Sequence, residues 1–333
     1  MVEPTRVDNQ CYLCHSSEME LLSDKGRYNI HLLNKVCKGC GLAQISPRPR
    51  YEEVLSYYKN GTFIDENQDR NYEKRFDDSI QQCMNVAKNL KADLIKYAPD
   101  IISSKSFRVL EIGSYCGAFL SAWKETFPNL AISGVEPDSD IAAFSKTKVK
   151  VPIYVSTLEE FEHKAVESYD LIVSFAVLEH IFNPLEFMCM VNKLLKPNGL
   201  IFFWVPNMHS HSTWLPFWYD WYLKEHLFHF SAPTITRLFA QAGFLPLTID
   251  EEKKLAVLAI KSDKIPPEAL NAKDDYRRVL QSHHRFKREH FFYQFTNIGR
   301  FAMFLLFLLF GHKLGFKIYK TLINFWQRRN TET

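Results

Sequence analysis

Between residues 107 and 260, short β-branched or aromatic runs alternate with stretches long enough for helical crossovers, and that alternation restricts the fold to a parallel α/β sheet. The runs at 107–112, 131–135, 171–175 and 200–205 read as parallel strands with right-handed connections. A helix is expected over 118–126, and 194–199 reads as a helix end followed by a turn into the fourth run. Two further runs, 244–249 and 255–260, flank the acidic stretch from Asp250 and read as a closing antiparallel pair. From Tyr51 to Tyr97 the pattern is helical. Val54, Leu55 and Tyr58 form one apolar stripe, and Ile80, Met84, Ala87, Leu90, Leu94 and Ile95 form a second, ended by Pro99.

Cys11-x-x-Cys14 and Cys37-x-x-Cys40 stand 22 residues apart, a spacing suited to two knuckles that bring four thiolates around one tetrahedral zinc. Gly39 and Gly41 permit the tight backbone of the second knuckle. Four thiolates leave no open position for a catalytic metal, and neither pair precedes a thioredoxin-like pattern that would favour redox chemistry. His15 is read as a bystander. Cys83, Cys116 and Cys189 complete an odd, uneven set that reads as metal ligands plus free thiols rather than a secreted disulfide framework.

Length and composition agree with a soluble globular chain of about two domains. Of 333 residues, 46% are apolar and 24% charged, which disfavours disorder, a fibre or a polytopic membrane protein. A net charge of +3 is too small for a nucleic-acid coat. The charge is uneven, with twelve Lys/Arg against five Asp/Glu from Ile265 onward. The first residues lack the apolar stretch of a secretory signal, so a cytoplasmic location is expected. Four regions follow: a zinc-binding module (1–50) closed by Ser46-Pro47-Arg48-Pro49, a helical link (51–105), an α/β core (106–262) and a basic, apolar helical extension (263–333). Ten unbroken apolar residues, 301–310, are half of what a bilayer span needs. They read as a buried helix or, with Arg300, Lys313, Lys317 and Lys320 nearby, as an in-plane membrane or partner helix peripheral to the cytosolic face.

Glu111-Ile-Gly113-Ser114-Tyr115-Cys116-Gly117 carries the first strand into a glycine turn and then a helix, a geometry that offers backbone N–H groups to an anionic ligand. Glu136, 25 residues after Glu111 at the end of the next strand, is placed to grip vicinal ribose hydroxyls. With Tyr169 to Ser174 followed by Leu178-Glu179-His180, and the turn at 194–199, these motifs resemble the class I S-adenosylmethionine-dependent methyltransferases over about 107–260. The family's Gly-x-Gly-x-Gly is altered here, because Tyr115 replaces the middle glycine. A dinucleotide-binding turn would need Gly-x-Gly-x-x-Gly, which is absent. The resemblance implies a Rossmann-like sheet and S-adenosylmethionine as cofactor. Gly113, Ser114 and Gly117 would then hold its methionine part, with Glu111 shaping the turn; Glu136 would hold the ribose, Ser156-Thr157-Leu158 would line the adenine, and Phe175-Ala176 would face the sulfonium.

The four-cysteine module, the core and Glu225-His226-Leu-Phe-His229-Phe-Ser231 together resemble the sugar C-methyltransferases and related surface-polysaccharide enzymes. That resemblance implies a sugar acceptor and places the Glu225-His226 pair at the substrate pocket. Methyl transfer by in-line displacement needs alignment and a base, which histidine supplies most readily near neutral pH. His226 is the expected base, with Glu225 or Glu179 assisting, His180 as a second substrate-facing histidine and Tyr222 as a sugar hydrogen-bonding group. Each has an ordinary packing reading as well, which for Tyr222 is the Trp/Tyr-rich run around it. A divalent ion on His209, His211, His226 and His229 is a further alternative. Within enzymes, O-methylation of a lipid-like or quinone-like molecule competes with sugar methylation, and outside them a zinc-bearing scaffold with a degenerate core competes with both. Nucleic acid is not an expected partner: no Asn/Asp-Pro-Pro-aromatic tetrapeptide follows the strand, where Ser174-Phe175-Ala176-Val177 stands.

Overall fold

A computed structural model describes residues 10–59, 71–99, 106–161, 169–211, 215, 217–252, 254–270 and 275–296, with the single positions 309, 314, 318 and 321. In chain order the strands are β1 (Met19–Gly26), β2 (Ile30–Cys37), β3 (Ala43–Ile45), β4 (Arg108–Ile112), β5 (Ala131–Glu136), β6 (Ile153–Val155), β7 (Tyr169–Phe175), β8 (Leu195–Pro206), β9 (Phe228–His229), β10 (Phe244–Asp250) and β11 (Lys254–Lys261). The helices are α1 (Tyr51–Lys59), α2 (Tyr72–Tyr97), α3 (Ala118–Thr126), α4 (Ser139–Val149), α5 (Leu158–Phe161), α6 (Pro184–Leu194), α7 (Ala232–Gln241) and α8 (Asp275–Thr296). They fall into two compact units, one from Arg48–Asn207 and Phe230–Ala272, the other from Val7–Pro47, Met208–His229 and Lys273–Thr333.

The first unit is built on a seven-stranded sheet of order β10-β11-β8-β7-β4-β5-β6. β4 pairs in parallel with β5 and β7, and β7 with β8, while β11 runs antiparallel to both β8 and β10. Val109, Leu171, Val173, Leu200 and Leu258 supply strand residues to a core shared with Phe119, Leu120 and Trp123 of α3 and Ala87, Leu90 and Leu94 of α2. The α2 stripe thus packs as its three-to-four spacing predicts, with one correction. Ile95 is 55% exposed, because the residue after Leu94 points about 100° round the helix from it. The fourth parallel strand starts earlier than expected: Tyr169 pairs with Leu195 and Leu171 with Leu200, so Lys196 to Gly199 form the anticipated turn as a bulge, with Asn198 at φ 59°. β6 escaped the sequence reading, since three residues are too few to show a period.

The second unit carries a four-stranded antiparallel sheet of order β1-β2-β3-β9. β1 and β2 form a hairpin turned by Arg27–Asn29, in which Tyr28 and Asn29 both take left-handed backbone angles. Val279, His283, Phe286 and His290 of α8 are buried at spacings of four, three and four, one face of a helix. Val279 packs with Leu22, Val36, Met208 and Tyr222. No described helix is long and apolar enough to cross a membrane. The apolar run at 301–310 lies outside the described residues except Leu309, which is helical and exposed.

Candidate functional site

The site in the first unit begins where β4 ends. Gly113, Tyr115 and Gly117 all have left-handed backbone angles, φ 73°, 46° and 80°, so the alternating glycines of the family pattern mark three left-handed positions. Tyr115 is the exception that adopts the angle with a side chain, at a strain on the order of 1–2 kcal/mol. Its half-buried ring packs against the core, which offsets that strain. A side chain at Gly113 has no room, because a Cβ there would stand 2.5 Å from Val177 Cγ2. The amides of Gly113 and Ser114 donate to Val135 O at 2.9 and 3.1 Å and pin the turn to β5.

Glu136 closes the other side of that turn. Its Oε2 accepts from the Tyr115 amide at 2.8 Å and its Oε1 from the Asp138 amide at 3.1 Å, while Asp138 Oδ1 caps α4 through the amides of Asp140 and Ile141. Burial pushes the Glu136 carboxyl up to about 7 against the pull of those two N–H groups. Glu111 is fully buried; burial, with Glu136 adding to it, raises its carboxyl well above the usual range. Glu111 Oε2 and Ser114 Oγ are buried with no hydrogen-bond partner. Orphaned polar atoms beside a turn of left-handed glycines are what a site for a polar, amine- and carboxylate-bearing ligand presents, so these residues fit the methionine end of S-adenosylmethionine.

The other residues expected at the cofactor lie along the carboxyl edge of the same sheet. The Ser156 amide donates to Glu136 O at 3.2 Å, and Thr157 exchanges hydrogen bonds with Glu160 to start α5. Phe175 ends β7 with its ring 4.5 Å from Phe119 and 5.9 Å from Trp204. Ala176 follows at φ 53°, exposed, its amide donating to Trp204 O at 2.7 Å. Leu178–His180 form a 3-10 turn just beyond. His180 Nδ1 is 2.8 Å from Tyr58 Oη, and its Nε2 is 3.8 Å from Glu179 Oε1. Glu179 is buried with neither oxygen hydrogen-bonded, and burial pushes its carboxyl up to about 8 although its own amide and Lys254 oppose the shift. Tyr58 has no motif of its own; only the fold brings α1 to this turn.

Glu225, His226 and Tyr222 belong to the second unit. Glu225 is buried, and His226 is half-buried with its ring 6.1 Å from that of His229. Tyr222 is fully buried. His283 Nε2 donates to Leu22 O at 3.0 Å, which leaves Nδ1 to accept from Tyr222 Oη, also at 3.0 Å, so the Tyr222 hydroxyl is engaged inside the unit. Of the four histidines read as an alternative metal set, His209, His211 and His229 have other neighbours. His209 bonds Ser282 and Asp275, His211 stacks on Phe286 at 4.4 Å and His229 Nε2 lies 3.2 Å from Asn34 Oδ1. Their rings are engaged by four different neighbours, and no metal-binding group among the described residues includes His209, His211 or His229.

The four cysteines do converge. Cys11 Sγ lies 3.5 Å from Cys40 Sγ and Cys14 Sγ 3.4 Å from Cys37 Sγ, and all four sulfurs lie within 4.8 Å of one another. Zinc–sulfur bonds of about 2.3 Å in a tetrahedron put sulfurs about 3.8 Å apart, so the cluster fits one zinc. The shared sulfur hydrogen bonds pull Cys14 and Cys37 down and push Cys11 and Cys40 up, so it is the sulfur spacing that carries the fit to a metal. Gly41 is needed for close approach: at φ 80°, a Cβ on it would meet the Asp275 backbone of α8 at 2.8 Å. The remaining three cysteines are free thiols.

A family model described as a methyltransferase domain matches residues 66–248, more than half of the chain. The chain belongs to the methyltransferase domain family. The ubiquinone biosynthesis O-methyltransferase of Rickettsia bellii (strain OSU 85-389) is 30% identical over 97 residues, 28% of this chain and 39% of that protein. That of Photobacterium profundum is 26% identical over 110 residues, 32% of this chain and 46% of the relative. The chain therefore spans less than half the length of these curated relatives. Among solved structures, the CurJ carbon methyltransferase aligns with a TM-score of 0.43 at 15% identity over 54% of each chain. The Burkholderia thailandensis 1,6-didemethyltoxoflavin-N1-methyltransferase, solved with its substrate and S-adenosylhomocysteine, aligns at 0.45 and 15% identity over 69% of this chain and 96% of that one. The seven-stranded unit is a Rossmann-like methyltransferase fold, and the four cysteines precede the matched segment.

Proposed function

We propose that the protein transfers a methyl group from S-adenosylmethionine to a sugar, nucleotide-linked or within a surface glycan. The observation that carries the cofactor is the left-handed turn of Gly113 to Gly117 with Glu136 closing it and the orphaned Glu111 Oε2 beneath it. In this reading Gly113, Ser114, Gly117 and Glu111 hold the methionine end, Glu136 the ribose, Thr157 the adenine, and Phe175 and Ala176 the surroundings of the sulfonium. The cofactor, when bound, supplies an electrophilic methyl group. What the chain must add is alignment of the acceptor and removal of its proton.

Two histidines are proposed for that proton, His180 of the first unit and His226 of the second. His180 sits one turn beyond Phe175 with its ring oriented by Tyr58, and Glu179 behind it is held protonated, able to donate rather than accept. His226, with Glu225 beside it in sequence, is proposed from the sugar-methyltransferase resemblance and remains the first base to test; Tyr222 is proposed only as an orienting group. Cys11, Cys14, Cys37 and Cys40 are proposed to hold a structural zinc, on the strength of their sulfur spacing. A cytosolic site of action, with the basic tail touching a membrane surface or partner, belongs to the same proposal.

A second reading is favoured by the names of the curated relatives: O-methylation of a quinone-like phenol. The test is calorimetric titration with S-adenosylmethionine and S-adenosylhomocysteine, followed by a screen of nucleotide-linked keto sugars and prenylated phenols. Micromolar cofactor binding lost in Gly113→Arg supports the enzyme, and its absence in folded wild type moves the reading to a scaffold. Turnover of phenols alone selects the second acceptor class. With a true acceptor, His226→Ala should lower turnover by about 100-fold or more if it is the base, and an unaffected rate transfers the role to His180.

A further inference from the structure

Three side chains on the carboxyl edge of the seven-stranded sheet have no part in holding the cofactor. Trp204 lies near the end of β8, Lys254 begins the neighbouring β11, and Glu179 sits in the turn after β7. Lys254 Nζ stands 3.1 Å from the centre of the Trp204 ring, whose other neighbour is Phe175 at 5.9 Å. An ammonium over an indole face is attracted by the ring but keeps its three N–H donors. Among the described residues no carboxylate or carbonyl accepts from them. The exposed acids Asp250, Glu251 and Glu252 precede Lys254 in sequence, yet the charges that act on it are those of Glu179 and Cys83. Glu179 at about 8 and Cys83 at about 12 are both protonated at neutral pH, so neither neutralises the lysine. Lys254 is exposed, and the partial burial of its ammonium against the ring pulls it down to about 8, which still leaves it charged at pH 7. The result is an uncompensated cation at the ligand-bearing edge of the sheet.

We infer that Lys254, laid on Trp204, anchors an anionic group of the acceptor, a phosphate or a carboxylate. The inference rests on the methyltransferase reading for its word acceptor, and the position of Lys254 in the sheet separates it from the cofactor. β11 lies three strands from β4, about 14 Å in the hydrogen-bonding direction, so Lys254 does not reach the methionine end at Gly113. It stands beyond Phe175 and Trp204, on the side of the sheet edge away from Glu136. Lysine suits this task as a compact point charge that binds either anion without the bidentate geometry of arginine. Glu179, buried and without a hydrogen-bond partner, supplies a neutral donor nearby instead of a competing negative charge. An acceptor carrying a phosphate would be the product of a kinase or nucleotidyl-transfer reaction; one carrying a carboxylate would come from an oxidation or a carboxylic-acid precursor.

The test uses the full chain loaded with S-adenosylhomocysteine and titrated by calorimetry with inorganic pyrophosphate and, separately, with benzoate. Wild type should bind at least one of them, and which one it prefers names the anion class. Lys254→Met, which keeps the apolar stem on Trp204, should bind it at least about tenfold more weakly, and Lys254→Arg within about threefold of wild type. S-adenosylhomocysteine should bind all three proteins alike. The inference is overturned if neither anion binds wild type, or if Lys254→Met binds as wild type does. Should S-adenosylhomocysteine itself not bind, the cofactor reading fails separately, and the same anion titrations on the ligand-free chain still decide the role of Lys254.

Discussion

The seven-stranded unit draws its core from apolar side chains that recur at strand and helix periods, whereas the four-cysteine unit adds to a smaller apolar core a set of polar pairs drawn from three distant stretches. In the first, Val109, Leu171 and Leu200 meet Trp123 and Leu90 because successive elements become neighbours. In the second, Cys11 and Cys14 meet Cys37 and Cys40, Tyr222 meets His283, and His209 meets Asp275. Apolar packing tolerates small losses by relaxing; a buried polar pair that loses one member leaves the other unpaired. The two units should therefore fail differently.

The largest contrast is expected from the cysteines. Structural zinc contributes about 10 kcal/mol or more to such a site, so Cys37→Ser, or chelation, should unfold the second unit. Metal analysis should give one zinc per chain, lost in the variant, and peptide-resolved hydrogen exchange should show loss of protection in β1, β2 and α8. A metal-free chain that keeps full protection there would refute the four-thiolate site.

Next in size are changes at the glycine turn. Gly113→Arg combines a disfavoured backbone angle with a clash on Val177 and should weaken S-adenosylhomocysteine binding by at least about 100-fold, while the zinc content stays unchanged. Glu136→Ala should weaken it by about ten- to 100-fold, the worth of one charge-assisted hydrogen bond to a ribose hydroxyl. Equal affinity in the two variants and wild type would remove the turn from cofactor binding.

Opposite responses to pH are the third contrast. His229 and His283 are pulled down to about 4 and about 3 by burial, and His211 well below its ordinary value for the same reason. A histidine held neutral in the fold contributes stability that is present above its unfolded value near 6.5 and is lost as pH falls toward the folded value. Asp220, raised to about 7, opposes this within the second unit, and the three histidines outweigh it. In the first unit Glu136 and Glu179 are raised to about 7 and about 8, so the fold binds more protons than the unfolded chain between about 4.5 and 8 and loses stability as pH rises through that window. Hydrogen exchange at pH 5 and pH 8 should show the second unit weaker at the lower pH and the first weaker at the higher. Parallel slopes would contradict the burial argument.

The smallest effect is expected at Tyr222. Tyr222→Phe leaves the buried His283 Nδ1 without its donor and should destabilise the second unit by about 1–2 kcal/mol in urea unfolding. A loss of turnover larger than the loss of folded protein would instead give Tyr222 the acceptor role that its neighbours in sequence suggest.

Local periodicity and short-range motifs made the methyltransferase unit legible. Strands near 108–112, 131–136 and 169–175, helix 118–126, the glycine turn, the acid after the second strand and the four cysteines were all readable, because each depends on residues close together in the chain. What sequence could not carry was adjacency between remote side chains. The sheet that threads β9 beside β3, the docking of Asp275 against Gly41, the engagement of His209, His211 and His229, the Tyr58–His180 pair and the placing of Lys254 on Trp204 each join residues with no shared period or spacing. The helix pattern of α8 shows that Val279, His283, Phe286 and His290 share a face, but a buried histidine looks like an exposed one until its hydrogen-bond partner is in place. The sequence determined the elements, the glycine turn and the four-cysteine set, since those are decided by local sterics and short-range spacing; only the tertiary structure decided which polar groups are satisfied, which stay orphaned and which cation lacks a protein counter-charge, since those depend on what the rest of the chain brings within hydrogen-bonding distance.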